Sequence, residues 1–72
     1  MEFHERLHDT RKDLDKTQAE LAAALNIPQQ QYSRYERGLN EFPIRYLPAL
    51  CAALGVSADY LLGLPRGLAW PR

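Results

Sequence analysis

The chain is short of several things, and each shortage excludes a class. It holds one cysteine in 72 residues, so no internal disulfide can form. Cys51 reads as a small core residue of a reduced, cytoplasmic protein. No apolar run approaches the ~18 residues that a membrane span needs. The opening "MEFHERLHD" is polar and mixed in charge, so a signal peptide is not expected. There is no surplus of charge: nine basic residues meet nine acidic ones. That balance argues mildly against a polyanion as partner, although the distribution over the surface matters more than the sum. β-branched residues are few and no segment alternates with period two, which argues against a sheet. At 72 residues the chain is one domain with a modest core and no room for a cleft between lobes.

What is present reads as five helices. The first runs from about Phe3 to Asp13, with Phe3, Leu7 and Arg11 in one row and Leu14 expected to pack just past its end. The second is announced by "TQAE": Thr17 caps it, and Glu20, three residues on, reaches back to the Thr17 amide. It continues through "QAELAAAL" with Leu21, Ala22 and Leu25 inward. It ends at Asn26, which tolerates a left-handed backbone. The third starts at Pro28 and stops at Gly38. Tyr32 and Tyr35 lie on one side of it; Gln29, Gln30, Ser33, Arg34 and Arg37 lie on the other. The fourth spans about Pro43 to Leu54, with Ile44, Leu47, Leu50, Cys51 and Leu54 as its buried stripe. Pro48 cannot donate to the Ile44 carbonyl, which predicts an irregular first turn. The fifth is short, capped by Ser57 and ended by Gly63. Linkers are short, and repeats are absent.

Helices two and three form the informative constellation. A small residue (Ala22) sits mid-helix, a left-handed-tolerant Asn26 follows, and the next helix is aromatic inside and Gln/Arg outside. Two helices joined that tightly need a small side chain where their backbones approach, as in a helix-turn-helix. The stretch "TQAELAAALNIPQQQYSRYERGLNEFP", with the closing "GVSADYLLG", resembles the Cro/C1-type (XRE-like) helix-turn-helix family over about residues 3–63. The resemblance implies an all-α, five-helix, lambda-repressor-like DNA-binding domain (1–63) with the helix-turn-helix at helices two and three. The tail 64–72 is left as a dimerisation arm or a disordered end.

The resemblance also implies roles. Gln29 and Gln30 occupy the first exposed turn of the recognition helix, where a Gln amide can pair with adenine N6/N7. Arg34 stands one turn on, in reach of a guanine edge or a phosphate. Thr17 and Gln18 open the second helix against a phosphate. Ser33, Arg37, Asn40 and Arg45 are candidate backbone contacts. The bland reading of the glutamine run is a solvated face, and that of Thr17 is a cap and nothing more. Glu36 is acidic in the middle of this face. The family pattern pairs such a residue with a basic one on the first helix, where Arg11 stands, implying a partly buried Arg11–Glu36 ion pair; the alternative is two solvated charges. The sequence departs from the family at Lys16, where an apolar residue is usual, at Pro28, where Ser or Thr usually caps, and at Pro48, where an aliphatic is common.

One motif points elsewhere. Residues 4–8, "HERLH", spell H-E-x-x-H, the zinc-peptidase helix. His4 and His8 share a face, but a catalytic zinc needs a third protein ligand and an open position. No later histidine exists, and the same helix supplies the core. The expectation is therefore no metal, no cofactor and no enzyme. The leading reading is a transcriptional regulator, a repressor that binds a near-palindromic operator in double-stranded DNA as a homodimer. No small-molecule effector is evident. Tyr60, Leu64, Leu68 and Trp70 are candidates for the dimer contact, with a frayed terminus as the alternative. The second reading is an antitoxin-like or degenerate helix-turn-helix acting mainly on proteins, which the zero net charge keeps open.

Overall fold

A computed structural model describes residues 2–64. Five α-helices follow one another: α1 (Phe3–Asp13), α2 (Gln18–Leu25), α3 (Gln29–Glu36), α4 (Leu47–Leu54) and α5 (Ala58–Leu62). A 3-10 turn, Ile44–Tyr46, leads into α4. No strand occurs among the described residues. Helix α2 packs on α3 and α4, α1 packs on α3 and α5, and α4 on α5. The core they enclose is Leu7, Leu21, Ala22, Leu25, Tyr32, Leu47, Leu50, Leu54 and Leu61.

One stop device recurs. After α1, α2, α3 and α5 a single residue turns left-handed: Asp15, Asn26, Gly38 and Gly63. Each time the following amide reaches back five residues. Lys16 N–H meets the Arg11 carbonyl, Ile27 that of Ala22, Leu39 that of Arg34 and Leu64 that of Asp59, at 2.9–3.1 Å. The left-handed residue itself bonds three residues back. This Schellman arrangement satisfies the orphan carbonyls of each last turn and lets the chain reverse within two or three residues. Asp15 does it without glycine, because a short polar side chain tolerates that backbone. Helix starts are equally explicit. Thr17 and Ser57 each accept the amide three residues on, and Glu2 and Glu5 form a capping box on α1.

Three expectations shift. Pro28 stands just outside α3 as its N-cap rather than inside its first turn. The expected α-helix from Pro43 is split, because Pro48 sits in the first turn of α4 and removes the amide that would have joined it to Ile44. The preceding turn tightens to 3-10 geometry, and Ile44 leaves the buried stripe, 76% exposed. Leu14, the C-cap of α1, is likewise 41% exposed.

An aromatic cluster lies beside the leucine core. The Phe42 ring lies 5.5 Å from that of Phe3 in a tilted contact, and 5.4 Å from Tyr35 and 6.1 Å from Tyr46 edge-on. It ties the loop after α3 to α1 and to the 3-10 turn. Leu68 and Trp70 lie outside the described residues.

Candidate nucleic-acid interface

The site is built from the start of α2, one side of α3 and the loop that follows. Thr17 opens α2 by accepting the Glu20 amide at 3.1 Å, while its own amide donates to the Glu20 carboxylate at 2.7 Å. The bond from the Thr17 amide first, and the Thr17 side chain second, hold the Glu20 carboxyl below its usual range. The α2–α3 connection is then only Asn26, Ile27 and Pro28. Ala22 is 3% exposed and belongs to the core that α2 shares with its neighbours.

Helix α3 is divided lengthwise. Tyr32, Tyr35 and Glu36 are buried. Gln29, Gln30, Arg34 and Arg37 are exposed, Ser33 is half-buried, and Asn40 is exposed just beyond. No side chain caps the N-terminus of α3, so its first amides are not bonded to a capping group. Gln31, between the two sides, donates to the Tyr35 hydroxyl at 2.8 Å and is spoken for. Arg45, on the 3-10 turn, is exposed and lies over the ring of Tyr46.

Glu36 is the acid in this basic stretch, and it does not face outward. Its side chain is 1% exposed. Arg11 Nε donates to Glu36 Oε2 at 2.8 Å and Arg11 Nη2 to Oε1 at 2.7 Å, a two-bond fork. Arg11 Nη1 also donates to the Lys16 carbonyl at 2.8 Å, which ties the α1–α2 corner to the pair. Burial pushes the Glu36 carboxyl up, but the bonds from Arg11, the proximity of the Tyr32 hydroxyl and the bond from Gln18 outweigh it and hold the group below its ordinary value. Arg11 is pushed up in return, chiefly by its bond to Glu36. The Tyr32 hydroxyl feels the same carboxylate without making a properly aligned hydrogen bond to it; burial first and that charge second raise its pKa.

Gln18 is the surprise. Its Nε2 donates to Glu36 Oε1 at 3.2 Å. A carboxylate only accepts, so the amide nitrogen must be the atom that faces it. The side chain is therefore turned partly inward, with one N–H used and one remaining. Nothing in the local sequence signals this, because the bond joins residues 18 positions apart.

The structure thus brings Thr17, Gln18, Gln29, Gln30, Ser33 and Arg34 onto the α2–α3 unit, with Arg37 and Asn40 at its far end and Arg45 on the next element. Among the described residues none of Arg34, Arg37 and Arg45 makes an ion pair. Five of the eight exposed acids, Glu2, Glu5, Asp9, Asp13 and Asp15, lie on or beside α1, while Glu20, Glu41 and Asp59 lie elsewhere. A net charge of zero therefore coexists with an outer side of α3 that carries Arg34 and no exposed acid.

The histidine pair offers no comparable geometry. His4 is half-buried with its ring against Gly38, and His8 Nδ1 lies 3.4 Å from Asp9 Oδ1. No cluster of three or more potential metal ligands occurs among the described residues. A cleft of about 630 Å³ is lined by Arg6, Ser57, Asp59, Tyr60 and their neighbours, with no residue of α2 or α3.

Compared with known proteins, the chain matches the helix-turn-helix family over residues 7–61. It is 36% identical over 63 residues to the cryptic phage CTXphi transcriptional repressor RstR of Vibrio cholerae serotype O1, covering 88% of this chain and 56% of that protein. It is 40% identical over 60 residues to YonR, a SPbeta prophage-derived uncharacterized HTH-type transcriptional regulator of Bacillus subtilis, covering 83% of this chain and 56% of that protein. The chain thus matches only a little over half the length of either relative.

Proposed function

This chain belongs to the Cro/C1-type helix-turn-helix family, and on that premise we propose that it is a sequence-specific DNA-binding transcriptional regulator, a repressor, that reads the major groove with α3. The observation that carries the reading is the division of α3. Its apolar and acidic residues are all turned in, and Gln29, Gln30 and Arg34 all face solvent. A helix with its side chains is about 10–12 Å across and fits a major groove about 12 Å wide.

In this reading Gln29 and Gln30 address adenine edges, and Arg34 a guanine edge or a phosphate. Thr17, Gln18, Ser33, Arg37, Asn40 and Arg45 hold the sugar-phosphate backbone and set the register. The uncapped start of α3 and the remaining N–H of Gln18 suit the same anion. The Arg11–Glu36 pair takes a carboxylate away from the polyanion and fixes α1 against α3. Residues 1–63 form the DNA-binding domain. One such module has a small footprint, so the chain acts as a homodimer on a near-palindromic operator whose half-sites are about 34 Å apart. The dimer contact is assigned to α5 and the segment 64–72, with Tyr60 and Leu64, 53% and 43% exposed, at its near edge. The similarity to a named phage repressor supports the direction of regulation.

The test is selection of bound duplexes from a random pool, followed by titration of the selected duplex at several salt concentrations. A single preferred sequence with steep salt dependence is expected. Gln29→Ala or Gln30→Ala should relax one operator position per half-site, at a cost of about 1–3 kcal/mol. Absence of any preferred sequence would reject the reading in favour of a protein-binding module.

A further inference from the structure

Arg45 is an exposed cation with a restricted environment. Its guanidinium carbon lies 4.7 Å from the centroid of the Tyr46 ring, and Nη2 is 3.4 Å from the Tyr46 hydroxyl. Tyr46 is itself held. Its ring lies 6.4 Å from that of Tyr35 on α3 and 6.1 Å from that of Phe42. Tyr35 is anchored in turn, accepting from Gln31 at 2.8 Å. An unbroken series of contacts therefore runs from α3, through two tyrosine rings, to a guanidinium outside the helix-turn-helix.

An exposed arginine ordinarily samples many rotamers and loses that freedom on binding. A ring face that holds the guanidinium in advance reduces the loss, and leaves the outer N–H groups for an anion. We infer that Tyr46 is a positioning residue: it stacks Arg45 so that the guanidinium is pre-set to bind a phosphate of the DNA that α3 reads. This inference rests on the DNA-binding reading above. It adds a residue that does not touch the nucleic acid and acts only through Arg45. It also ties that contact to the recognition helix, because Tyr35 belongs to both the cluster and α3.

The experiment is a double-mutant cycle in the full chain, on the duplex recovered from the wild-type selection. Arg45→Ala should weaken binding and lower the slope of log Kobs against log salt by about 1, as expected for one lost phosphate contact. Tyr46→Leu should raise Kd about two- to five-fold, the range of an exposed cation–π contact. In the Arg45→Ala background it should have no further effect. Tyr46→Phe, which keeps the ring, should bind like wild type. If Tyr46 only supported α3, Tyr46→Leu would cost the same in both backgrounds, and the inference would be overturned. Should Tyr46→Leu fail to fold, Arg45→Lys takes its place. It keeps the charge but not the planar stack, so Kd should rise with the slope unchanged; binding equal to wild type would overturn the inference. A wild-type chain with no sequence preference removes the DNA reading itself. A wild-type chain that binds selectively, with additive Arg45 and Tyr46 effects, removes only the role of Tyr46.

Discussion

Replacing Glu36 with alanine should remove a large share of this domain's stability. The carboxylate takes three hydrogen bonds in the structure, two from Arg11 and one from Gln18. Its removal leaves the Arg11 guanidinium, 10% exposed, with only the Lys16 carbonyl as partner. It also leaves the Gln18 amide without its acceptor. Breaking a buried pair by deleting one member costs about 3–5 kcal/mol, because a charge remains buried and uncompensated. Arg11 keeps one bond and a sliver of solvent, so the lower end, ~3 kcal/mol, applies. A 72-residue domain has about 4–11 kcal/mol in total. Urea unfolding followed by circular dichroism should show the midpoint falling by half or so, with the m-value unchanged. The double variant Arg11→Met/Glu36→Leu should recover most of the loss, since two apolar groups leave no stranded charge. If Glu36→Ala costs less than ~1 kcal/mol, the pair behaves as a surface bridge and the reasoning is refuted.

Three further outcomes are expected. Glu36 has a folded pKa below its ordinary 4.5, so the stability it adds is fully present above about pH 4.5 and is lost as pH falls through the lower folded value. The difference in unfolding free energy between wild type and Glu36→Gln should therefore shrink from about pH 6 to about pH 3, and a constant difference would contradict this. Gly38 has φ +75°, and a β-carbon there would come within 2.8 Å of the His4 ring. Gly38→Ala should cost ~1–2 kcal/mol in left-handed strain, plus a displacement of His4 that His4→Ala relieves; calorimetry on both variants checks it. Burial pushes the Cys51 thiol up, so it should react with an aromatic disulfide reagent at neutral pH more slowly in the folded chain than in urea; equal rates would contradict the packing.

Much of this architecture is readable locally. Thr17 and Glu20 announce α2, Asn26 ends it, and Ser57 and Gly63 bracket α5, because caps and stops depend on residues three to five positions apart. The burial of Tyr32 and Tyr35 follows from helical spacing alone. Misreadings arise where one local rule overrides another. Ile44 fits the apolar row of α4, but Pro48 breaks the α geometry that would have carried that row back to it. Leu14 is apolar at an inviting distance, yet as the C-cap of α1 it stays exposed. Other features have no local signal at all. The Phe3–Tyr35–Phe42–Tyr46 cluster and the Gln18–Glu36 bond join residues far apart in the chain. The side chains on the outer side of α3 carry the opposite lesson: glutamine and arginine there are equally suited to water, and only their setting beside α2 suggests a ligand.

The most direct test of DNA reading by α3 is a two-dimensional amide and side-chain NMR titration of the labelled chain with its selected duplex. The account predicts the largest shifts at Gln29, Gln30, Ser33 and Arg34, including the glutamine side-chain amides, with Thr17 and Gln18 following and the leucines of α4 little changed. Shifts concentrated on α4 and α5, with Gln29 and Gln30 unmoved, would contradict it.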